Sequence, residues 1–342
     1  MFYRSGIEQL SLPIAAKEDV QTLEKARNTV LYSKDDSLLF DRGVVIDIDN
    51  IQELPDGRFA TSIHGLKFHC FFHRKKGEKL YVILNGSKTA PPPEFKRWSW
   101  YNVFEGSVLN IADPSYTENA ELGLGWYYGT VDVNYREYTV ELIKKISAYL
   151  GVENKDICFY ASSGGGAAAL HCGGLIEGCT VIAINPQIFL KKYHYAPTFS
   201  KITGIDLSKE DKWHRENGAY FIEHCPKTSY LLVENLASPD DFVQIDLLEK
   251  TFETKFCYGL NRMNNLGIWL YDIGSKIPHN AQEDQILYFA IDRLAKRMKS
   301  DEPWENLNSD YLIISEMWRK NLLLADQVNE LKKLLANGNV HP

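Results

Sequence analysis

The segment that most constrains the fold is Tyr160-Ala-Ser-Ser-Gly-Gly-Gly-Ala-Ala-Ala-Leu170, which follows the apolar run Ile157-Cys-Phe and leads into a helix of small residues. It reads as strand, sharp turn and helix in direct succession. A serine at the apex of such a turn sits at a strained backbone position, so the residues two before and two after it must be small. Around Ser163 these are Ala161 and Gly165, with Ala161 standing where glycine is commoner. The turn lifts the hydroxyl above a sheet, turns the amide of the next residue, Gly164, toward a developing oxyanion, and adds the partial positive charge of a helix N-terminus. Glycine-rich turns also cradle phosphate in nucleotide-binding folds, but no Walker lysine or G-x-G-x-x-G pattern accompanies this one.

A nucleophilic serine needs a base and a group to orient that base. In the α/β-hydrolase fold these follow in the order Ser, Asp or Glu, His. The chain offers candidates in that order. After the run Tyr230-Leu-Leu-Val-Glu-Asn comes a polar turn, Leu-Ala-Ser-Pro-Asp240-Asp241-Phe, at the end of a strand. Position favours Asp240 as the acid over Asp241; the plainer reading is that one of the pair caps the helix that begins near Phe242, and both roles can be divided between them. His279 lies in the loop Gly274-Ser-Lys-Ile-Pro-His-Asn280, between an apolar run and a helix, where the base belongs. His171 falls within the helix after the elbow, His194, His214 and His224 precede the aspartates, and His341 is terminal. A second oxyanion donor is expected from Leu84-Asn-Gly-Ser87, with Gly86 and Ser87 as the candidate amides; an ordinary Asn-Gly turn is the plainer reading.

The rest of the chain has the rhythm of an α/β fold. Apolar runs at Leu80–Leu84, Ser107–Ala112, Asp156–Tyr160, Thr180–Ile184, Ser229–Val233, Lys255–Leu260 and Ile268–Ile273 alternate with helical segments, which predicts a mostly parallel central sheet flanked by helices. Tyr138, Leu142, Ile146 and Leu150 mark one amphipathic helix, and Gln282 to Met298 another. Before the first run, Arg58 to Arg74 suits a hairpin turning at His64-Gly65. The first residues show only weak helical periodicity, around Val20 to Leu31. The expected organisation is a peripheral segment over 1–57, a catalytic domain over 58–300 and a C-terminal helical extension over 301–342.

Composition narrows the partners. With 342 residues, 44% hydrophobic, the chain can bury one large core. A formal charge of −7, evenly spread, leaves no footprint for a nucleic-acid backbone. No apolar stretch suits a signal region or membrane span, and six cysteines without C-x-x-C pairing read as free core thiols, so a soluble cytoplasmic protein is expected. His69 and His73 would share a strand face, but no carboxylate or cysteine completes a zinc site, and no metal is expected. Arg97, Trp98 and Trp100, in Phe95-Lys-Arg-Trp-Ser-Trp-Tyr101, set a cation among aromatics beside the oxyanion loop; they are candidates for binding a sugar face or an anionic group, and core anchoring is the plainer reading. Asp113-Pro114 and Asp132 suit turn caps.

Several stretches resemble a family of bacterial α/β-hydrolase-fold proteins associated with capsular and other surface glycans. They are Leu84-Asn-Gly-Ser, Arg97-Trp-Ser-Trp, Ile111-Ala-Asp-Pro, Trp126-Tyr-Tyr-Gly, the Ser163 elbow and Asn185-Pro-Gln-Ile. The resemblance covers about a third of the chain strongly. It implies a glycan O-acetyltransferase with a Ser-Asp-His triad, no bound cofactor, acetyl-CoA as acyl donor and a glycan as acceptor. A carbohydrate esterase would use the same triad with water in place of the sugar hydroxyl, and a non-catalytic scaffold in polysaccharide assembly is the reading of a different class.

In the C-terminal extension, Ile314, Met317, Asn321, Leu324, Val328, Leu331 and Leu335 alternate by three and four. This is a coiled-coil seam with an asparagine at an a position, which points to a parallel homodimer. A helix packed on its own domain is one alternative, favoured by the extra apolar residues Leu322, Leu323 and Leu334, and pairing with a helix of another protein is the other.

Overall fold

A computed structural model of the chain describes residues 43–101, 103–209, 211–272, 279, 285–299 and 330–333. The chain divides into two units, one formed by 32–282 and the other by 1–31 with 283–342. The larger unit is built on a nine-stranded sheet: β1 (Gly57–Ile63), β2 (Leu66–His73), β3 (Leu80–Leu84), β4 (Ser107–Ile111), β5 (Ile157–Ser162), β6 (Thr180–Ile184), β7 (Ser229–Asn235), β8 (Gly259–Met263) and β9 (Leu266–Tyr271), in the spatial order β1-β2-β4-β3-β5-β6-β7-β9-β8. Strands β4, β3, β5, β6, β7 and β9 run parallel, and an antiparallel strand joins at each end through β2 and β8. This is the α/β-hydrolase fold expected from the sequence.

The local reasons are plain. Two-sided burial selects continuous apolar strands, and every residue of β3, β4, β6 and β9 is buried. The β1–β2 hairpin turns at His64 and Gly65, with Ile63 paired to Leu66 and φ of 49° and 84° in the turn, the left-handed pair that matches strand twist. Helix α1 (Tyr135–Leu150) opens on Asn134, whose side chain accepts from the Arg136 amide at 3.1 Å, and closes on Gly151 at φ 69°. Helix α2 (Ser163–Gly174) can press directly on the sheet because of its glycines. A Cβ on Gly165 would lie 2.2 Å from the Leu84 carbonyl oxygen, and one on Gly173 2.1 Å from Val181 Cγ2. Helices α3 (Ala196–Thr203), α4 (Gly218–His224) and α5 (Pro239–Thr251) add to the cover, beside a single helical turn at Ser115–Glu118.

The late strands differ from expectation. The run Lys255–Leu260 does not form a strand as a whole; β8 begins at Gly259 and continues to Met263, antiparallel to β9 through a turn at Asn264, φ 51°. An edge strand can expose Arg262 and use the Asn261 side chain to pair the Cys257 amide and carbonyl, so its sequence lacks the continuous apolar signature. Phe256, before that strand, packs into the main hydrophobic core, and its amide donates to Glu249 Oε1 of α5 at 2.9 Å.

In the smaller unit, helix α6 (Gln285–Met298) buries Tyr288, Ile291, Leu294, Ala295 and Met298 at helical spacing. The segment around Val20 to Leu31, the start of the second amphipathic stretch and the seam from Ile314 to Leu335 lie outside the described residues, except that 330–333 are helical and Leu331 is 57% exposed. Among the described residues no helix is long and apolar enough to cross a membrane, and no His, Cys, Asp and Glu cluster suits a metal ion. His73 pairs with Asp56 at 3.1 Å.

Candidate active site

The parallel strands β5, β6, β7 and β9 present their carboxyl ends on one edge of the sheet, the edge at which ligands of open α/β sheets bind. Ser163 follows β5 and opens α2 with φ 54°, a left-handed conformation that costs a non-glycine residue about 1–3 kcal/mol. The tight contacts of Gly165 against Leu84 and Gly166 against Pro186 fix the helix that holds it there. Ser163 Oγ lies 2.9 Å from His279 Nε2. His279 Nδ1 in turn lies 2.8 Å from Asp241 Oδ1, and the Asp241 side chain is 2% exposed.

The carboxylate on His279 is therefore Asp241, and the preference for Asp240 is corrected. Both residues stand in the first turn of α5, behind the capping Ser238, whose hydroxyl receives the Asp241 amide at 3.4 Å. Neighbouring helical positions point about 100° apart, so only one of them can face the histidine. Asp240 turns outward and meets His194 Nδ1 at 2.7 Å. Neither aspartate is the cap; Ser238 takes that role.

Electrostatics bind the three groups together. Burial would lower the His279 pKa, but the hydrogen bond and charge of Asp241 outweigh it and hold the imidazole above its usual 6.5. Burial raises Asp241, against the His279 hydrogen bond that lowers it. Beneath Asp241, Glu234 on β7 is fully buried, and neither its two oxygens nor Asp241 Oδ2 has a hydrogen-bond partner among the described residues. Burial first, and the Asp241 charge second, push the Glu234 carboxyl well above its ordinary range.

The proposed oxyanion loop is brought to the elbow through Gly86. A Cβ there would lie 3.2 Å from the Ser162 carbonyl oxygen, 3.4 Å from Ser163 Cβ and 3.6 Å from the Gly164 nitrogen. The amide of Gly164 lies in the first turn of α2, where helix N–H groups lack intrahelical acceptors. Ser87 is exposed beside it. Arg97, in a left-handed conformation at φ 55°, donates from Nη2 to Ser162 Oγ at 2.6 Å, one residue from Ser163, with its guanidinium 5.7 Å from the Trp100 ring centroid and 5.5 Å from that of Tyr160. Trp98 instead stands edge-on to Phe71, centroids 6.0 Å apart, which is an anchoring role.

Two residues that sequence reasoning left without a role complete the site. Gln187, 1% exposed, donates from Nε2 to Ser163 Oγ at 3.1 Å and lies 3.4 Å from His279 Nε2; its Oε1 accepts from Trp126 Nε1 at 3.0 Å. Asn185, at φ 43° after β6, donates from Nδ2 to the His279 carbonyl at 3.0 Å and accepts the Asn235 amide at 2.9 Å, tying the histidine to β7. Their one signal was the Asn-Pro-Gln run at the end of the strand beside the elbow strand. Trp126 and Tyr127 are both buried at positive φ, 55° and 52°, and a dense frame compensates the strain. Arg136 Nε donates to the Trp126 carbonyl at 2.9 Å, Asp113 Oδ2 accepts the Tyr127 amide at 2.9 Å, and Tyr127 Oη receives the Asn85 amide at 2.8 Å while donating to the Ile111 carbonyl.

No protein-family model matches the chain, and no curated protein matches it. Among solved structures, the capsule O-acetyltransferase of Neisseria meningitidis serogroup A is similar at 16% identity, covering 73% of this chain and 98% of that one with a TM-score of 0.49. An esterase of Pyrococcus furiosus is similar at 16% identity, covering 72% and 92% with a TM-score of 0.47. A 2,6-dihydroxy-pseudo-oxynicotine hydrolase is similar at 13% identity, covering 76% and 69% with a TM-score of 0.49. These are likenesses of fold; the strand order and register establish that fold independently.

Proposed function

We propose that the protein is a serine acyltransferase that passes an acetyl group from acetyl-CoA to a glycan hydroxyl through an acyl-enzyme on Ser163. The observation that carries this reading is the connected series Ser163 Oγ, His279 and Asp241, with distances of 2.9 and 2.8 Å. His279 takes the proton of Ser163 as Oγ attacks the acyl carbonyl, Asp241 holds the Nδ1–H tautomer and stabilises the imidazolium, and the amides of Gly164 and the Gly86–Ser87 loop receive the oxyanion. Collapse returns the proton to the departing thiolate. The identity of donor and acceptor rests on the resemblance of the elbow, Arg97-Trp-Ser-Trp and Asn185-Pro-Gln-Ile stretches to surface-glycan O-acetyltransferases. Arg97 beside the elbow is the group we assign to an anionic part of the substrate.

A fluorophosphonate probe tests the nucleophile, and acetyl-CoA consumption with candidate glycans tests the reaction. Wild type should label, Ser163→Ala should not, and acetyl should appear on the glycan. Equal labelling of Ser163→Ala would remove the serine assignment. Ester hydrolysis with no capture by any glycan would replace transfer with esterase activity.

A further inference from the structure

The amide of Gln187 has a defined orientation. An indole N–H can only donate, so the atom facing Trp126 Nε1 at 3.0 Å is the amide oxygen, and the NH2 group faces Ser163 Oγ and His279 Nε2. Ser163 Oγ therefore accepts from Gln187 while donating to His279. During acylation this bond contributes little, because Oγ must give up electron density to the acyl carbon and a donor on it competes with that. Once Ser163 is an ester, its oxygen is a poor acceptor. The amide hydrogens then point at the space next to His279 Nε2, which the second nucleophile must occupy to lose its proton.

We infer that Gln187 is a catalytic residue for deacylation, holding the oxygen of the incoming alcohol or water beside His279; this rests on the serine acyl-enzyme reading above. The step balances. The nucleophile oxygen accepts an N–H from Gln187, gives its proton to His279 Nε2 and bonds to the acyl carbon; the carbon–Oγ bond then breaks and Oγ takes the proton from His279. The buried Trp126, fixed by Arg136, keeps the amide from turning its oxygen toward that site.

Stopped-flow turnover of p-nitrophenyl acetate separates the two half-reactions. Gln187→Met keeps the bulk and removes the donor. Its acylation burst should stay within about tenfold of wild type, while deacylation by water or a small alcohol should fall by about 10²-fold, the usual loss for one preorganised donor. Hydroxylamine, which attacks without a general base, should restore deacylation to the wild-type rate. Trp126→Phe, which frees the amide to rotate, should show the same split more weakly. Unchanged deacylation in Gln187→Met would overturn the inference, as would acylation and deacylation falling together or failure of hydroxylamine to restore the rate. A burst that persists in Ser163→Ala would instead refute the acyl-enzyme itself, and with it this role.

Discussion

His279 Nδ1 stands 2.8 Å from Asp241 Oδ1, while Asp240, the preceding residue, is drawn away to His194. One carboxylate is buried against the imidazole and the other is a half-exposed surface pair. This separation predicts unequal effects. Asp241→Asn should lower kcat by about 10⁴-fold, because the amide cannot hold the required imidazole tautomer. Asp240→Asn should stay within about threefold, as expected for loss of a half-exposed hydrogen bond to His194. Steady-state kinetics of the two variants decide it, and equal losses would contradict the geometry.

The pH dependence has a definite sign. His279 acts as base only when neutral, and Asp241 holds its pKa above 6.5. The acid limb of kcat/KM should therefore have its midpoint above pH 6.5. In Asp241→Asn burial remains and the stabilising charge is gone, so the limb should move to lower pH even as the rate collapses. A limb that stays in place in the variant would show that another group titrates.

Gly86 and Gly165 both approach the elbow, with different expected costs. Alanine at Gly165 would drive a Cβ to 2.2 Å from a backbone oxygen, and the expected destabilisation is about 3 kcal/mol. Alanine at Gly86 meets its nearest atom at 3.2 Å, a contact that yields by a few tenths of an ångström. Gly86→Ala should thus melt near wild type yet lose activity, about 10²-fold if the displaced amides serve the oxyanion. Thermal melts and acylation rates together test the pair; full activity in Gly86→Ala would remove this loop from the oxyanion site.

The legible parts of the fold were those with local causes. The elbow, the buried parallel strands and the His64-Gly65 turn follow from small-residue spacing, apolar runs and turn chemistry, and His279 followed from chain order. Asp241 could not be separated from Asp240 by position, because the choice depends on which way one helical turn faces the crevice. Gln187 and Trp126 had only the Asn185-Pro-Gln-Ile and Trp126-Tyr-Tyr-Gly stretches as signals and no role, because their hydrogen bonds reach across 24 and 61 positions of sequence. β8 was misread since an edge strand need not be apolar.

Glu234 carries the last prediction. Its carboxyl is held well above the ordinary 4.5, by burial first and then by the charge on Asp241. A group that binds its proton more tightly when folded contributes stability that is complete below its unfolded pKa and is lost as pH rises through the folded value. Stability should therefore decline from pH 4.5 upward by an amount that Glu234 sets in part, alongside Asp241, which is raised as well. Glu234→Gln keeps the shape and supplies an NH2 donor in place of the acid O–H but removes the titration, so its melting temperature should fall less steeply with rising pH. Activity should be kept within about a few-fold, since the amide keeps the volume of the side chain beside Asp241 and leaves the Asp241–His279 contact in place. Melts of wild type and variant from pH 4.5 to pH 9 measure the two slopes; parallel curves would mean that Glu234 does not exchange its proton between folded and unfolded chain over that range, and the buried carboxyl would need another explanation.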